Sequence, residues 1–223
     1  MTFDQEKFNQ FVLRYALGVR EEAFTLRSGR HSHLYVNWRD ALTSPRLLNQ
    51  LRYMINDFFE DHGLFPNNIL GVPEGMTAAA AYFQICRALA ESSGGDVVTI
   101  RKVPKQYGHG KDSNYIGKIS GKVVLLEDTT TSGTSLIETI EKIRVPEVTD
   151  ITAIAFTDRM QIDDQRSVEQ RVNSLGVDYF AMSKGTDLLR QAYAQGWIND
   201  DLALKLEQEY TKHGIEPLNL LRN

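Results

Sequence analysis

The chain has 223 residues, 42% hydrophobic and 24% charged, with a formal net charge of −4 and a pI near 5.8. That length carries one sizeable α/β core, or a core with a small appended lobe, and its slightly acidic balance offers no basic footprint for nucleic acid. One cysteine, Cys86, excludes an intrachain disulfide and fits a reducing cytoplasm; the polar start Met1–Lys7 does not read as a signal peptide, and no apolar run approaches the roughly 18 residues of a membrane span.

Phe8, Phe11, Val12, Tyr15 and Ala16 recur at helical spacing, which predicts an opening amphipathic helix. Residues 23–39 read as two short strands around a Ser28-Gly29 turn. That hairpin comes too early to join a main sheet and is expected to form a small N-terminal lobe. A helix over about 44–62 follows, with Leu47, Leu48, Leu51, Met54, Ile55, Phe58 and Phe59 on its buried face and Gly63 as its stop. Asn68–Val72 predicts a buried strand that runs into a tight turn at Pro73-Glu74-Gly75, and an apolar helix extends from Thr77 to about Ala90. Cys86 sits in that apolar pattern and reads as core packing.

Residues 96–100 predict a third strand. From 101 to 117 the chain is aperiodic, with three glycines and the cations Arg101, Lys102, Lys105 and Lys111 beside His109. Composition alone leaves a solvated surface loop and a functional lid equally open. Next comes the most informative stretch. Val123-Val124-Leu125-Leu126 reads as a strand buried on both faces, as in a parallel sheet interior. Two carboxylates, Glu127 and Asp128, follow where it emerges; then Thr129-Thr130-Thr131-Ser132-Gly133-Thr134-Ser135; then a helical pattern over 136–143.

A strand, a small-residue loop and a helix N-terminus form an anion site by backbone geometry, because free N–H groups and the helix dipole both favour a phosphate. The hydroxyls of Thr131, Ser132, Thr134 and Ser135 add donors, and Gly133 permits close backbone approach. Two acids cannot bind that phosphate; a sugar diol or a hydrated magnesium ion suits them. Neither G-x-G-x-x-G after a strand nor G-x-x-x-x-G-K-[ST] occurs. Residues 149–159 predict another strand ending in Asp158-Arg159, and Val177–Met182 the last strand of the core. Helices over 186–195 and 200–213 close the chain, with no function legible in them.

The stretch from Val123 to Ser135 resembles the 5-phosphoribosyl-1-pyrophosphate (PRPP) motif of type I phosphoribosyltransferases. Phe24, Leu26, Ser28, Gly29, Ser32, Tyr35 and Arg39 are similar to the amino-terminal signature of the orotate phosphoribosyltransferases, and Arg101-Lys102…Lys105…Tyr107-Gly108 resembles their mobile lid. The chain departs from that pattern at Arg27, where a lysine is usual, at His33-Leu34, where a proline leads the usual pair, and at Glu74-Gly75.

The resemblance implies a mainly parallel α/β sheet with helices on both faces. It divides the single domain into an N-terminal lobe (1–42), a core (43–182) and C-terminal helices (183–223). It implies transfer of a phosphoribosyl group from PRPP to orotate, giving orotidine 5′-monophosphate and pyrophosphate in pyrimidine synthesis, with Mg2+ held mainly by PRPP and Glu127 and Asp128 reaching it through water. Lys105, His109, Glu127 and Asp128 are the implied catalytic groups. PRPP would meet Arg101, Lys102, Lys105, the turn at Glu74 and Gly75, and residues 127–135. Orotate would meet Arg27, Tyr35, Thr131 and Arg159. A homodimer sharing its lids is implied too. A phosphoribosyltransferase for a purine or another base, and a PRPP-binding regulator without catalysis, stay open beside it.

Overall fold

The computed structural model describes residues 2–26, 29–91, 95–105 and 114–221. Its centre is the apolar run itself, inside strand β6 (Gly121–Thr130), with β3 (Asn68–Gly71) on one side and β7 (Val148–Asp158) on the other. Strand β8 (Asp178–Ala181) completes a four-stranded sheet in the order β3-β6-β7-β8. All three ladders are parallel: Leu70 lies beside Leu125, Leu125 beside Ala153, and Ala153 beside Tyr179.

Alternation along β6 explains why four apolar residues in a row are needed. Val123 and Leu125 enter one apolar cluster with Leu136, Ile140 and Ile143 of α5 (Thr134–Ile143) and Val168 and Val172 of α6 (Val168–Asn173). Val124 and Leu126 enter the other. That second cluster holds Phe8 and Phe11 of α1 (Gln5–Tyr15), Leu51 and Phe58 of α3 (Pro45–Asp61), Phe83 of α4 (Thr77–Glu91), Leu188 and Leu189 of α7 (Gly185–Ala194), and Leu206 of α8 (Asp200–His213). The sheet is therefore covered on both faces, as expected for parallel strands.

Antiparallel strands β1 (Leu17–Thr25) and β2 (His31–Val36) form a separate two-stranded sheet. β1 begins six residues before the expected start at 23, because Leu17–Val19 pair with Leu34–Val36, while exposed Arg20–Glu22 fall in the irregularity between Val19 and Phe24 and carry no apolar alternation to read. A short helix, α2 (Arg39–Thr43), precedes the expected long one and was not anticipated; nor was α6, which is capped by Ser167 and Gln170.

The expected third strand needs correction. Only Thr99–Ile100 (β4) is a strand, and it pairs antiparallel with Tyr115–Ile116 (β5) outside the main sheet. Val98 and Ile100 still bury their side chains beside Leu70 and Val72, so their apolar character reports packing on the core and no place in its ladder. No described helix is long and apolar enough to cross a membrane.

Candidate active site

Strands β6 and β7 end beside each other, with Thr130 opposite Asp158, and the chain leaving each builds the wall of a cavity of about 410 Å3. Glu127, Thr129–Leu136 and Arg159 line it from the sheet rim; Phe24, Leu26, Tyr35 and Val36 line it from the hairpin. Asp163 completes the lining among the described residues. The rim lies beyond the carboxyl ends of the strands, where ligands of open α/β sheets bind.

The loop after β6 takes its shape from Gly133, the left-handed N-cap of α5 at φ 72°. A Cβ there would stand 2.8 Å from Val168 Cγ1, so glycine is required on backbone and packing grounds together. Ser132 and Thr134 join hydroxyls at 3.0 Å over the first turn of the helix. Thr129 Oγ1 is buried without a partner among the described residues. Arg171 of α6 donates through Nη1 to the Ser132 carbonyl and is paired with Asp163 at 2.9 Å, bracing the loop from below.

The two adjacent acids face different neighbours, as alternate residues of a strand must. Glu127 is on the cavity wall. Asp128 accepts the Thr129 N–H at 2.6 Å and presses against the turn after β3, where a Cβ on Gly75 would come within 2.9 Å of its Oδ2. Burial raises the Asp128 pKa, a shift partly offset by the Thr129 N–H, by Glu127 and, further off, by the Arg39 charge. The Pro73–Glu74 peptide in that turn is cis. Glu74 itself points to solvent and pairs with Lys102 at 3.9 Å, both side chains being well exposed. The stem of the basic loop is tied to α5, since Lys142 Nζ donates to the carbonyls of Lys102 (2.9 Å) and Arg101 (3.4 Å).

Arg159 is the deepest cation of the site. Its side chain is 3% exposed, and Nη2 donates to Ser32 Oγ at 2.5 Å and meets Glu209 Oε1 at 3.4 Å. Its Nε is buried without a partner among the described residues. Burial lowers its pKa, opposed by neighbouring Tyr210 and by the Glu209 carboxylate. Behind the rim, Tyr179 donates to Asp158 Oδ2 at 2.8 Å and stands 2.8 Å from Thr130 Oγ1. Burial raises the pKa of Asp158, and burial with the Asp158 charge raises that of Tyr179 well above its ordinary value.

Of the residues expected in the site, the cavity unites Tyr35, Glu127, Thr129–Ser135 and Arg159. Gly75 joins through Asp128, while Glu74, Arg101, Lys102 and Lys105 are not part of this lining. Arg27 and His109 lie outside the described residues. Sequence reasoning missed Glu209, Arg171, Asp163 and Tyr179. Arg171 and Asp163 sit in a stretch that was not assigned, and Glu209 in a helix with no legible role; each is made relevant only by contacts distant in the chain.

No family model matches the chain. Among solved structures, the orotate phosphoribosyltransferase of Francisella tularensis superposes with a TM-score of 0.69 over 93% of this chain and 99% of its own, at 19% identity. A parallel sheet covered on both faces, with a small-residue loop and paired acids at its rim, defines a type I phosphoribosyltransferase. Among curated proteins, the orotate phosphoribosyltransferase of Methanospirillum hungatei is 33% identical over 149 residues, spanning 66% of this chain and 80% of the relative. That of Methanopyrus kandleri is 27% identical over 191 residues, 84% of this chain and 93% of the relative. The chain belongs to the orotate phosphoribosyltransferase family.

Proposed function

We propose that this chain transfers the 5-phosphoribosyl group of PRPP to orotate, releasing pyrophosphate and forming orotidine 5′-monophosphate for pyrimidine synthesis. The observation that carries this reading is Arg159: a buried guanidinium on the cavity wall, across from a phosphate-type loop, with its Nε unpartnered among the described residues. A guanidinium offers two donors in a fixed fork that matches the carboxylate of orotate, which a purine base lacks.

The loop 131–135 and the N-terminus of α5 bind the 5′-phosphate through N–H groups and hydroxyls. Glu127 accepts from the ribose hydroxyls, and Asp128 faces the turn at Glu74-Gly75, on the side toward pyrophosphate. Substitution at the anomeric carbon passes through an oxocarbenium-like state, so the chain supplies position and charge and needs no strong nucleophile. Lys102, Lys105 and His109 neutralise the leaving pyrophosphate, with Arg101 beside them, while Arg27, Tyr35 and Thr131 frame the base.

The described residues contain no cluster of three or more acidic, histidine or cysteine groups that could hold a metal. Glu127 and Asp128 instead fit a Mg2+ carried in by the phosphates of PRPP and touched through water, the way this cation is usually held. When bound, it supplies countercharge to the departing pyrophosphate. One apolar cluster running from Phe8 through Leu51 to Leu206 supports a single domain spanning all three segments of the chain. We take the enzyme as cytoplasmic and as a homodimer whose lids are shared.

Pyrophosphate release is measured with PRPP, Mg2+ and a panel of bases. Orotate should be the base that drives it. Release with a purine instead identifies a purine enzyme; PRPP uptake with no release for any base identifies a regulator. In the same assay Arg159→Ala should raise the KM for orotate roughly ten- to a hundred-fold, the loss of a charged hydrogen bond, and leave that for PRPP unchanged. An unaltered orotate response removes Arg159 from the base site.

A further inference from the structure

The C-terminal helix α8 carries a carboxylate that the site's own strands do not account for. Glu209, with a side chain 6% exposed, gathers donors from two separate segments, the hairpin strand at 32–33 and the chain after β7 at 159–161. Its Oε1 accepts from Ser32 Oγ at 2.7 Å and Gln161 Nε2 at 2.8 Å and faces Arg159 Nη2 at 3.4 Å; its Oε2 accepts the His33 N–H at 2.9 Å. Helix α8 does not need that charge for docking. Leu202, Ala203 and Leu206 already seat it in the core, and Tyr210 donates to the Arg159 carbonyl at 2.6 Å. Burying a carboxylate is costly unless its partners repay it, and here the partners are the hairpin edge and the cavity cation.

We propose that Glu209 is a positioning residue for recognition of the base: it locks the Arg159 guanidinium and the Ser32–His33 edge into one geometry. Among the described residues, Arg159 donates from its side chain only through Nη2, to Ser32 and toward Glu209. That hold sets the plane of the fork and leaves Nε for a planar carboxylate on the ligand. Glu209 thus acts through Arg159 and touches no substrate. The inference rests on the base-site reading of Arg159 given above.

Steady-state kinetics of Glu209→Gln, Glu209→Ala, Arg159→Ala and Glu209→Gln with Arg159→Ala test it, each variant being checked by thermal melting. Glutamine keeps the size and one acceptor but sets an N–H donor among donors. Glu209→Gln should raise the KM for orotate about three- to ten-fold, the range of an ordinary hydrogen bond, with the KM for PRPP held. Glu209→Ala should raise it further, and glutamine carries the test where alanine fails to fold. The double variant should be no worse than Arg159→Ala alone, because a residue acting through another adds nothing once that residue is gone.

Equal rises in both KM values, or additive effects in the double variant, overturn the inference. So does a large Arg159→Ala effect beside a Glu209→Gln enzyme that behaves like wild type. An Arg159→Ala enzyme with an unchanged orotate response overturns the base-site reading itself, whatever Glu209 does.

Discussion

Asp128 and Glu127 are adjacent acids with different surroundings, and the difference has measurable consequences. Burial raises the Asp128 pKa, so the folded chain takes up a proton at a pH where the unfolded chain has lost it. Stability from this group is present at low pH and falls as pH rises from the ordinary carboxylate range through the raised folded value. Asp128→Asn should flatten part of that slope, Asp158 keeping the rest because its pKa moves the same way. At neutral pH the variant should melt roughly 2–4 °C higher, the response of a chain this size to about 1 kcal/mol. Its turnover should drop roughly a hundred-fold, the cost of losing a group placed at developing charge. Calorimetry across pH, read beside the turnover assay, checks both; a lower melting temperature at neutral pH would show that the charge is stabilising.

Tyr179→Phe makes the opposite case. It strips the donor from Asp158 Oδ2 and a partner from Thr130 Oγ1, both buried, so urea unfolding should show a loss of about 1–3 kcal/mol. At position 33, the histidine that departs from the family's signature has a physical use: its N–H reaches Glu209, and a proline there would have none to offer.

Among the elements, the loop into α5 depends on a single backbone conformation. Gly133 sits at φ 72° with Val168 against its Cα, so Gly133→Ala adds both left-handed strain and a clash. The expected loss is about 1–3 kcal/mol, with a weaker PRPP affinity because the N–H groups of the first turn move. Adding Val168→Ala should relieve the clash and leave the strain, about 1 kcal/mol. Denaturation of the single and double variants separates the two contributions; no recovery in the double variant would mean that the backbone alone decides. The stem of the basic loop is tied to this same helix through Lys142, so the loop around Gly133 and that stem share one support.

Across the whole molecule, the proposed sharing of lids between two subunits gives a complementation test. Lys105→Ala and Asp128→Asn subunits, each nearly inactive alone, should recover about a quarter of wild-type activity when mixed and allowed to exchange, because half the dimers then hold one intact site. Lids that act within their own subunit would give no recovery.

What was legible in the sequence was local. Val123–Ser135 carries strand, acids, loop and helix in one continuous stretch, so its backbone geometry followed from alternation, glycine and helix-end chemistry. The hairpin and the strand ending at Arg159 were likewise contiguous patterns. The strand expected at 96–100 failed because buried apolar residues look alike whether they pair in a ladder or pack beside one. Glu209 lies 177 residues from Ser32 and 50 from Arg159, and Arg171 lies 39 from Ser132. A lone glutamate on an amphipathic helix carries no sign of what it will meet. By itself the sequence determined most of the strands and helices and the small-residue loop into α5, since those depend on near neighbours in the chain. Only the tertiary structure decided which charges are buried and which partners hold them, because burial and pairing are settled by segments that meet in space.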